Sequence, residues 1–480
     1  MNELKNYIGI DFGTTNSACV VITTSEFGSN TPKKLTDFDG GPFPSLIVID
    51  KLTGEKYFGR EAWQRRRTLS ENCEVISSVK SYLGSDKEWD ILGEKWNATK
   101  LTSEILKNLA LQTQEKLNCH INDIVLAVPA GFSAEKRKAL KEAARLSQIK
   151  VKSFVSEPTA AFYKHYSELK HFSKVAVFDW GGGTLDISIL SNEKNKISEL
   201  AIKSVKGGGD DIDLKLAKWV HSQVVKEKGI NKGFDDMPNN LQDLLLTKSE
   251  SAKRTLSDNN IAKISLNEYG EFSAINIQID IDIFSKLIEP EVKKAIKAME
   301  DSVSEAGLSI NEIECVLMVG GSSKLVPLLN VVSERWEYIE IPDDAEWSVA
   351  EGASLLNKNP GEFKLNQELG LILCDGNFLP LMENNETLPC AKREKEFGIV
   401  EDNYLANFIF SDSKKIIGFI NTPVYGFNNE NIIVSYRINE DLVFRAIIKS
   451  DHRTKDFIQS FEYSNIKFNY KLPLEDEYKY

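Results

Sequence analysis

The chain is poor in the residues that most often carry chemistry: its 480 residues include five histidines and six cysteines. The cysteines, Cys19, Cys73, Cys119, Cys315, Cys374 and Cys390, are scattered, with no CxxC pair and no zinc-ligand spacing. Buried free thiols in a reducing compartment are the expectation. The histidines show no paired spacing either, which speaks against a histidine metal centre or a serine and histidine triad. Any chemistry therefore falls to carboxylates and lysine. No GxxxxGK(S/T) run occurs, so a Walker phosphate loop is excluded. No apolar run approaches a bilayer span, and no basic, apolar and small-residue leader precedes the first strand-like run near Tyr7. A cytoplasmic chain without membrane contact is expected.

Positive charge is also in short supply. Fifty-nine Lys and Arg stand against 71 Asp and Glu, a formal net charge of -12, so nonspecific attraction to nucleic acid has no support. Hydrophobic residues at 41% with 29 glycines are ordinary for a soluble globular protein, and the length suggests two to four domains.

Against these absences stand two near copies of one pattern. Residues 8–17 read IGIDFGTTNS and residues 177–186 read VFDWGGGTLD. In each, an apolar run ends in an aspartate, glycine turns the backbone, and threonine precedes a second strand-like run. The pattern predicts a β-hairpin whose tip of N–H groups and hydroxyls forms an anion nest. Phosphate is the anion to expect, and an aspartate beside it calls for a hydrated divalent cation between them, usually magnesium. One copy alone would read equally well as an ordinary turn; the second copy favours phosphate and metal. Each turn leads into a strand rather than a helix, which disfavours a dinucleotide fold.

The surroundings alternate strand and helix. An apolar run at 124–128 precedes a helix over 134–147 with Ser133 as N-cap. The second glycine turn restarts the pattern, as in a duplication. Further on come a turn at Gly207, Gly208 and Gly209, helical stretches at 214–226 and 241–256, and a strand pair at 262–267 and 274–279. A buried run at 313–319 ends in Gly320, Gly321, Ser322 and Ser323, Pro327 opens a helix, and 348–356 reads as a small-residue helix. An α/β domain over 1–357, in halves 1–175 and 176–357, is predicted. Residues 358–367 read as a polar linker. Beyond them only short strands are signalled, at 368–374, 378–382, 404–410, 416–421, 432–438, 442–449 and 465–471, forming a small β domain over 368–480. Glu250, Lys253, Arg254 and Ser257 fall on one helical face, and physics alone reads them as a solvated charged face.

These segments together resemble the Hsp70 (DnaK) chaperones of the actin-like ATPase superfamily. The resemblance rests on 8–17, SEPTAA at 156–161, 178–189, AKRTLS at 252–257 and VGGSS at 319–323. Residues 128–130 with the following Lys136-Arg137 helix, and 349–353, add to it. It implies an actin-like (ribonuclease H-like) two-lobed ATPase followed by a small all-β domain that binds extended polypeptide. The ligands implied are ATP or ADP, Mg2+ and K+, and the reaction is ATP hydrolysis.

By the same resemblance Asp11, Glu157 and Asp179 hold the magnesium shell, largely through water. Gly13, Thr14, Thr15, Asn16, Gly181, Gly182, Gly183, Thr184, Gly208, Gly209 and Asp210 surround the phosphates. Lys80 orients the attacking water, and Asp186 assists as a weak proton acceptor, so that Lys80, Glu157, Asp179, Thr184 and Asp186 form the catalytic set. Glu250, Lys253, Arg254, Ser257, Gly320, Gly321, Ser322, Lys324 and Glu346 frame the adenosine. Unfolded or extended polypeptide clients, a J-domain co-chaperone and a nucleotide exchange factor are the partners implied. Three departures stand out. Lys324 replaces a usual arginine against the adenine, Trp180 replaces a usual leucine with no assigned role, and the linker lacks the family's apolar segment. The tail resembles a shortened peptide-binding β domain without the helical lid. An actin-like filament subunit, an ATP-binding scaffold with little turnover, and a sugar kinase are the rival readings.

Overall fold

Apolar alternation through the first residues produces two antiparallel strands, Lys5–Phe12 and Asn16–Thr24, in the computed structural model. The structure describes residues 5–24, 31–37, 40–68, 72–193, 196–229, 232–271, 273–399, 404–425, 430–450 and 458–472. Strand Lys5–Phe12 is flanked on its other side by the parallel strand Asp123–Val128, which in turn pairs in parallel with Lys150–Ser156. The crossover between those last two is the helix Ala134–Leu146. Its N-cap is Ser133, whose side chain accepts from the Lys136 N–H, and Leu140, Ala143 and Ala144 are buried. The predicted capping and apolar face are therefore those observed.

A second sheet repeats this order. Strand Lys174–Trp180 makes a hairpin with Thr184–Glu193 and lies parallel to Cys315–Val319 on its other side. Each sheet supports its own apolar core, around Ile10, Leu126 and Leu140 in the first and Phe178, Ile187 and Met318 in the second. The last helix of the second half, Ser348–Lys358, packs back on the first sheet and on the helix Glu157–Lys164. Its Asn357 amide donates to the Ile8 carbonyl at 2.9 Å. The halves 1–175 and 176–357 are thus laced together in space.

From Glu362 onward every described element is a strand. Two four-stranded sheets face each other across Phe410, Phe444 and Phe461, with the Phe410 and Phe461 rings stacked at 4.2 Å. Two strands arise where no alternation signalled them, Arg393–Gly398 and Gln459–Tyr463. Their side chains are exposed or half-buried, and pairing with apolar neighbours recruits them.

The segment read as a polar linker, 358–367, contains the strand Glu362–Leu365. Phe363 and Leu365, its only two apolar residues, alternate inward and are buried. This strand pairs with Phe468–Lys471, and Phe468–Lys471 pairs with the strand Lys196–Lys206 of the second lobe. The late part of the chain thereby extends the second-lobe sheet to eight strands. No helix among the described residues is long and apolar enough to cross a membrane.

Candidate functional site

The duplicated hairpins place their aspartates at matching positions. Asp11 is level with Ala127 of its parallel neighbour and Asp179 with Val319 of its own, so both lie at the C-terminal ends of central strands. Such strand ends are where open α/β sheets bind ligands. The first tip is braced from outside: the Ser45 hydroxyl donates to the Gly13 carbonyl at 2.8 Å and the Ser45 N–H to the Thr15 carbonyl at 2.7 Å. The second tip closes on itself, with the Gly181 N–H donating to the Thr184 carbonyl at 3.0 Å. The Thr184 hydroxyl donates to Asp186 at 2.8 Å.

The third glycine turn is stitched onto the second. The N–H groups of Gly207, Gly209 and Asp210 donate to the carbonyls of Gly183, Gly181 and Gly182 at 3.2, 3.0 and 2.9 Å. Glycine is required for this approach, because a Cβ at Gly208 would lie 2.3 Å from the Gly182 oxygen. The helix Gly209–Lys228 begins here, so its N-terminal amides join the tip. The fourth turn presses in from strand Cys315–Val319. Gly320 has φ +81°, and a Cβ there would meet the Asp179 carboxylate at 2.4 Å. Ser322 donates its hydroxyl to the Gly181 carbonyl at 3.2 Å. Across the cleft, the Thr15 hydroxyl donates to Asp210 at 3.1 Å and bridges the two lobes.

Lys80 and Glu157 complete the floor. Lys80 lies in the single turn Val79–Tyr82, and Glu157 is the first residue of the helix Glu157–Lys164. The Lys80 ammonium is 2.9 Å from Glu157, and each side chain is 8% exposed. Burial pushes Glu157 up to about 7 against the pull of Lys80, with Asp11 and Asp186 adding to the rise. Burial also raises Asp11, and it raises Asp179 well above its ordinary value, although both side chains are only half-buried. Burial alone would lower Lys80, but Glu157 and Asp11 outweigh it and the ammonium is held more tightly than usual.

Four carboxylates around one ammonium leave a surplus of negative charge, and that donor set fits a divalent cation. Among the described residues no group of three or more His, Cys, Asp or Glu is arranged to hold a metal ion directly. A cation kept at a distance by its own water shell suits both observations.

The residues predicted to frame adenosine divide into two groups. Glu250 and Arg254 form an ion pair at 2.9 Å near the surface of the helix Asn239–Asp258, with Ser257 half-buried on the same helix. Lys253 instead turns inward, donating to the Gly209 carbonyl at 3.1 Å and pairing with Asp213 at 2.7 Å. It supports the third glycine turn from below. Lys324 reaches the Asp343 carbonyl at 2.6 Å, next to Asp344, which pairs with Lys34 of the first half at 2.5 Å. Glu346 is exposed just beyond, and Asn16 is exposed at the start of its strand.

Several supporting residues had no local signal. Glu199 of the second lobe accepts from Ser156 and, at 2.9 Å, from Thr159, the residues flanking Glu157 and Pro158. Arg137 is buried and donates to the carbonyls of Asp441 and Leu442 at 3.0 and 3.4 Å, docking a turn of the late strands onto the first lobe. Partners 195 to 305 residues apart, as at Thr15 and Arg137, leave no mark in a sequence window.

Two sheets of matched order, each ending in an aspartate and a glycine tip and facing one cleft, define a two-lobed nucleotide-binding module of the actin-like class. The family model described as Hsp70 protein matches residues 86–408, about two thirds of the chain, and the protein belongs to the Hsp70 family. Members of that family are ATP-binding chaperones and generally ATPases, and they bind ATP or ADP with Mg2+. The matched stretch runs from the first lobe past the strand Glu362–Leu365 into the late strands.

Proposed function

We propose that this chain hydrolyses ATP in the cleft between its lobes and couples the nucleotide state to binding of extended polypeptide by its late strands. The observation that carries the reading is the convergence of the Asp11 and Asp179 tips with the Lys80 and Glu157 pair on one floor. Thr14, Thr15, Thr184 and the amides of Gly182 and Gly183, on a tip braced by the turn at 207–210, are suited to hold the phosphates. Asp11, Glu157 and Asp179 would hold hydrated Mg2+, which neutralises phosphate charge as the terminal phosphoryl group leaves. Lys80, fixed by Glu157, orients a water for in-line attack, and Asp186, positioned by the Thr184 hydroxyl, accepts its proton. Arg254, Glu250 and Ser257 on one side and 320–322 with Lys324 and Glu346 on the other receive the adenosine, with Lys253 bracing the glycine turn beneath them.

Coupling is supported by the way the late strands meet both lobes. The turn Asn439 to Leu442 rests on Arg137, and Phe468–Lys471 pairs with the second-lobe edge strand. A change in lobe closure that moves these two contacts differently shifts the late strands as well. The client is an unfolded or extended polypeptide held without a helical cover from the described residues. A J-domain protein and an exchange factor are the fitting partners, and the setting is the cytoplasm.

Single-turnover ATP hydrolysis tests the reading in the full chain, in Lys80→Ala and in a chain ending at Asn357, each with and without extended peptides. Peptide stimulation that needs the late strands is the expected result. Hydrolysis in the full chain no faster than in Lys80→Ala would overturn the enzymatic part, and filaments forming on ATP addition, seen by light scattering, would favour an actin-like subunit instead.

A further inference from the structure

Trp180 stands between Asp179 and Gly181, 2% exposed, where a bulky indole has no part in the phosphate chemistry described above. Its ring enters the second-lobe core edge-on to Phe178, with centroids 6.1 Å apart. Its backbone is tied to one neighbouring turn. The Trp180 N–H donates to the Ser323 hydroxyl at 3.3 Å, and its carbonyl accepts from the Ser322 N–H at 2.9 Å. Its side chain is tied to another: the indole N–H donates to the Gly207 carbonyl at 3.2 Å.

The bond to Gly207 acts on a peptide plane. The peptide unit is rigid, so fixing the Gly207 carbonyl also fixes the N–H of Gly208 on its far side. That N–H donates to the Asp211 carboxylate at 3.0 Å, within the first turn of the helix Gly209–Lys228. One plane is therefore held from both ends, by Trp180 and by Asp211. The next two N–H groups, of Gly209 and Asp210, meet the second tip, and the Asp210 carboxylate meets Thr15 of the first. Trp180 thus sits where three glycine turns are referenced to one another. Leucine or phenylalanine could fill the core at this position, but neither supplies a donor for the Gly207 carbonyl.

We propose that Trp180 is a positioning residue for phosphate binding, its indole N–H locking the Gly207 to Gly209 turn against the second tip so that the tip is held in shape for the phosphate chain. The proposal rests on the ATP reading given above. A residue that only filled the core would support every ligand of the cleft equally. A residue that sets the phosphate turns supports ADP and ATP and not adenosine.

Affinities of the full chain for adenosine, ADP and ATP, the last two with Mg2+, separate these roles by calorimetric titration of wild type, Trp180→Phe and Trp180→Leu. Loss of the indole donor is expected to weaken ADP and ATP about five- to tenfold, the scale of one buried hydrogen bond, and to leave adenosine within about twofold. Equal weakening of all three ligands, or of none, overturns the proposal. Wild type binding none of them overturns the ATP reading, and this inference with it. Amide exchange without nucleotide is the second measurement, on whichever variant folds. Gly208 and Gly209 should exchange about five- to tenfold faster than in wild type, and unchanged exchange there also overturns the proposal.

Discussion

Replacing Arg137 by alanine should release the late strands from the first lobe, and the size of the effect can be worked from its surroundings. The guanidinium is buried, and its best bond is the one to the Asp441 carbonyl at 3.0 Å; those to Leu442 and Ala130, at 3.4 and 3.5 Å, are marginal. A hydrogen bond from a charged donor contributes about 1.5–3 kcal/mol. Removing Arg137 also withdraws the positive charge facing Glu199 and Asp441, which partly offset its burial. Burial works the other way: it lowers the Arg137 pKa to about 10, a penalty on the charged form of about 3 kcal/mol. The penalty falls away with the side chain and largely cancels the lost bond, but the buried Asp441 carbonyl is left without its donor at a cost of about 1–3 kcal/mol, so the net loss of docking is about 2 kcal/mol, roughly a 30-fold rise in local opening. Hydrogen exchange reads this directly at the Phe154 amide, which donates across the same contact to the Glu440 carbonyl at 3.4 Å. Lys141→Ala is the control. Its ion pair with Glu440 at 3.3 Å is exposed on both sides, so its removal should change the exchange by less than about threefold. Equal effects from the two substitutions, or none from Arg137→Ala, would refute the view that the buried guanidinium holds this turn.

Three further outcomes are expected. Glu157 has a folded pKa of about 7, above its unfolded one, so the stability it contributes is full at low pH and falls as pH rises towards 7. Lys80→Met removes the nearby ammonium and pushes that pKa higher, so the decline continues past 7. Urea denaturation without metal or nucleotide should show the gap to wild type widening above pH 7, by up to about 1.4 kcal/mol per unit, and a constant gap from pH 6 to 9 contradicts this. Asn469→Pro puts proline between two paired strands at a fully buried position facing Ser198 and Lys364. Limited proteolysis should then cut within 358–367 at least tenfold faster than in wild type, whereas resistance unchanged from wild type would deny the strand its role there. Finally, Cys374 is the exposed thiol, while burial pushes Cys19 and Cys315 up to about 12 and raises Cys73, Cys119 and Cys390. A thiol-reactive dye at pH 8 should label one cysteine quickly in the native chain and all six only on unfolding; fast labelling of two or more contradicts the burial.

How much was legible follows the range of each interaction. The hairpins of Asp11 and Asp179, the Ser133 cap and the small-residue helix near 350 are written within windows of a few residues, and their spacing alone placed them. Lys80 and Glu157 lie 77 residues apart, and neither carries a mark of the other; the resemblance of their segments brought both forward, not their spacing. Lys253 shows how a correct helix can still mislead. It sits one residue from Arg254, about 100° around the helix, so the two need not share surroundings. The first faces Asp213 and the glycine turn, the second solvent and Glu250.

The strand at Glu362–Leu365 was invisible for a different reason. Two alternating apolar residues among charged and turn-forming ones are too few to outweigh a loop reading. What makes a strand of them is Phe468–Lys471, about a hundred residues later, which supplies the hydrogen-bonding edge and the Phe468 and Tyr470 rings packed on Phe363. The same late strand closes onto Lys196–Lys206, so the connection between the lobes and the late strands is a sheet rather than a tether. Moving it requires ladder hydrogen bonds to break together, and any coupling through it is then a two-position switch rather than a graded one.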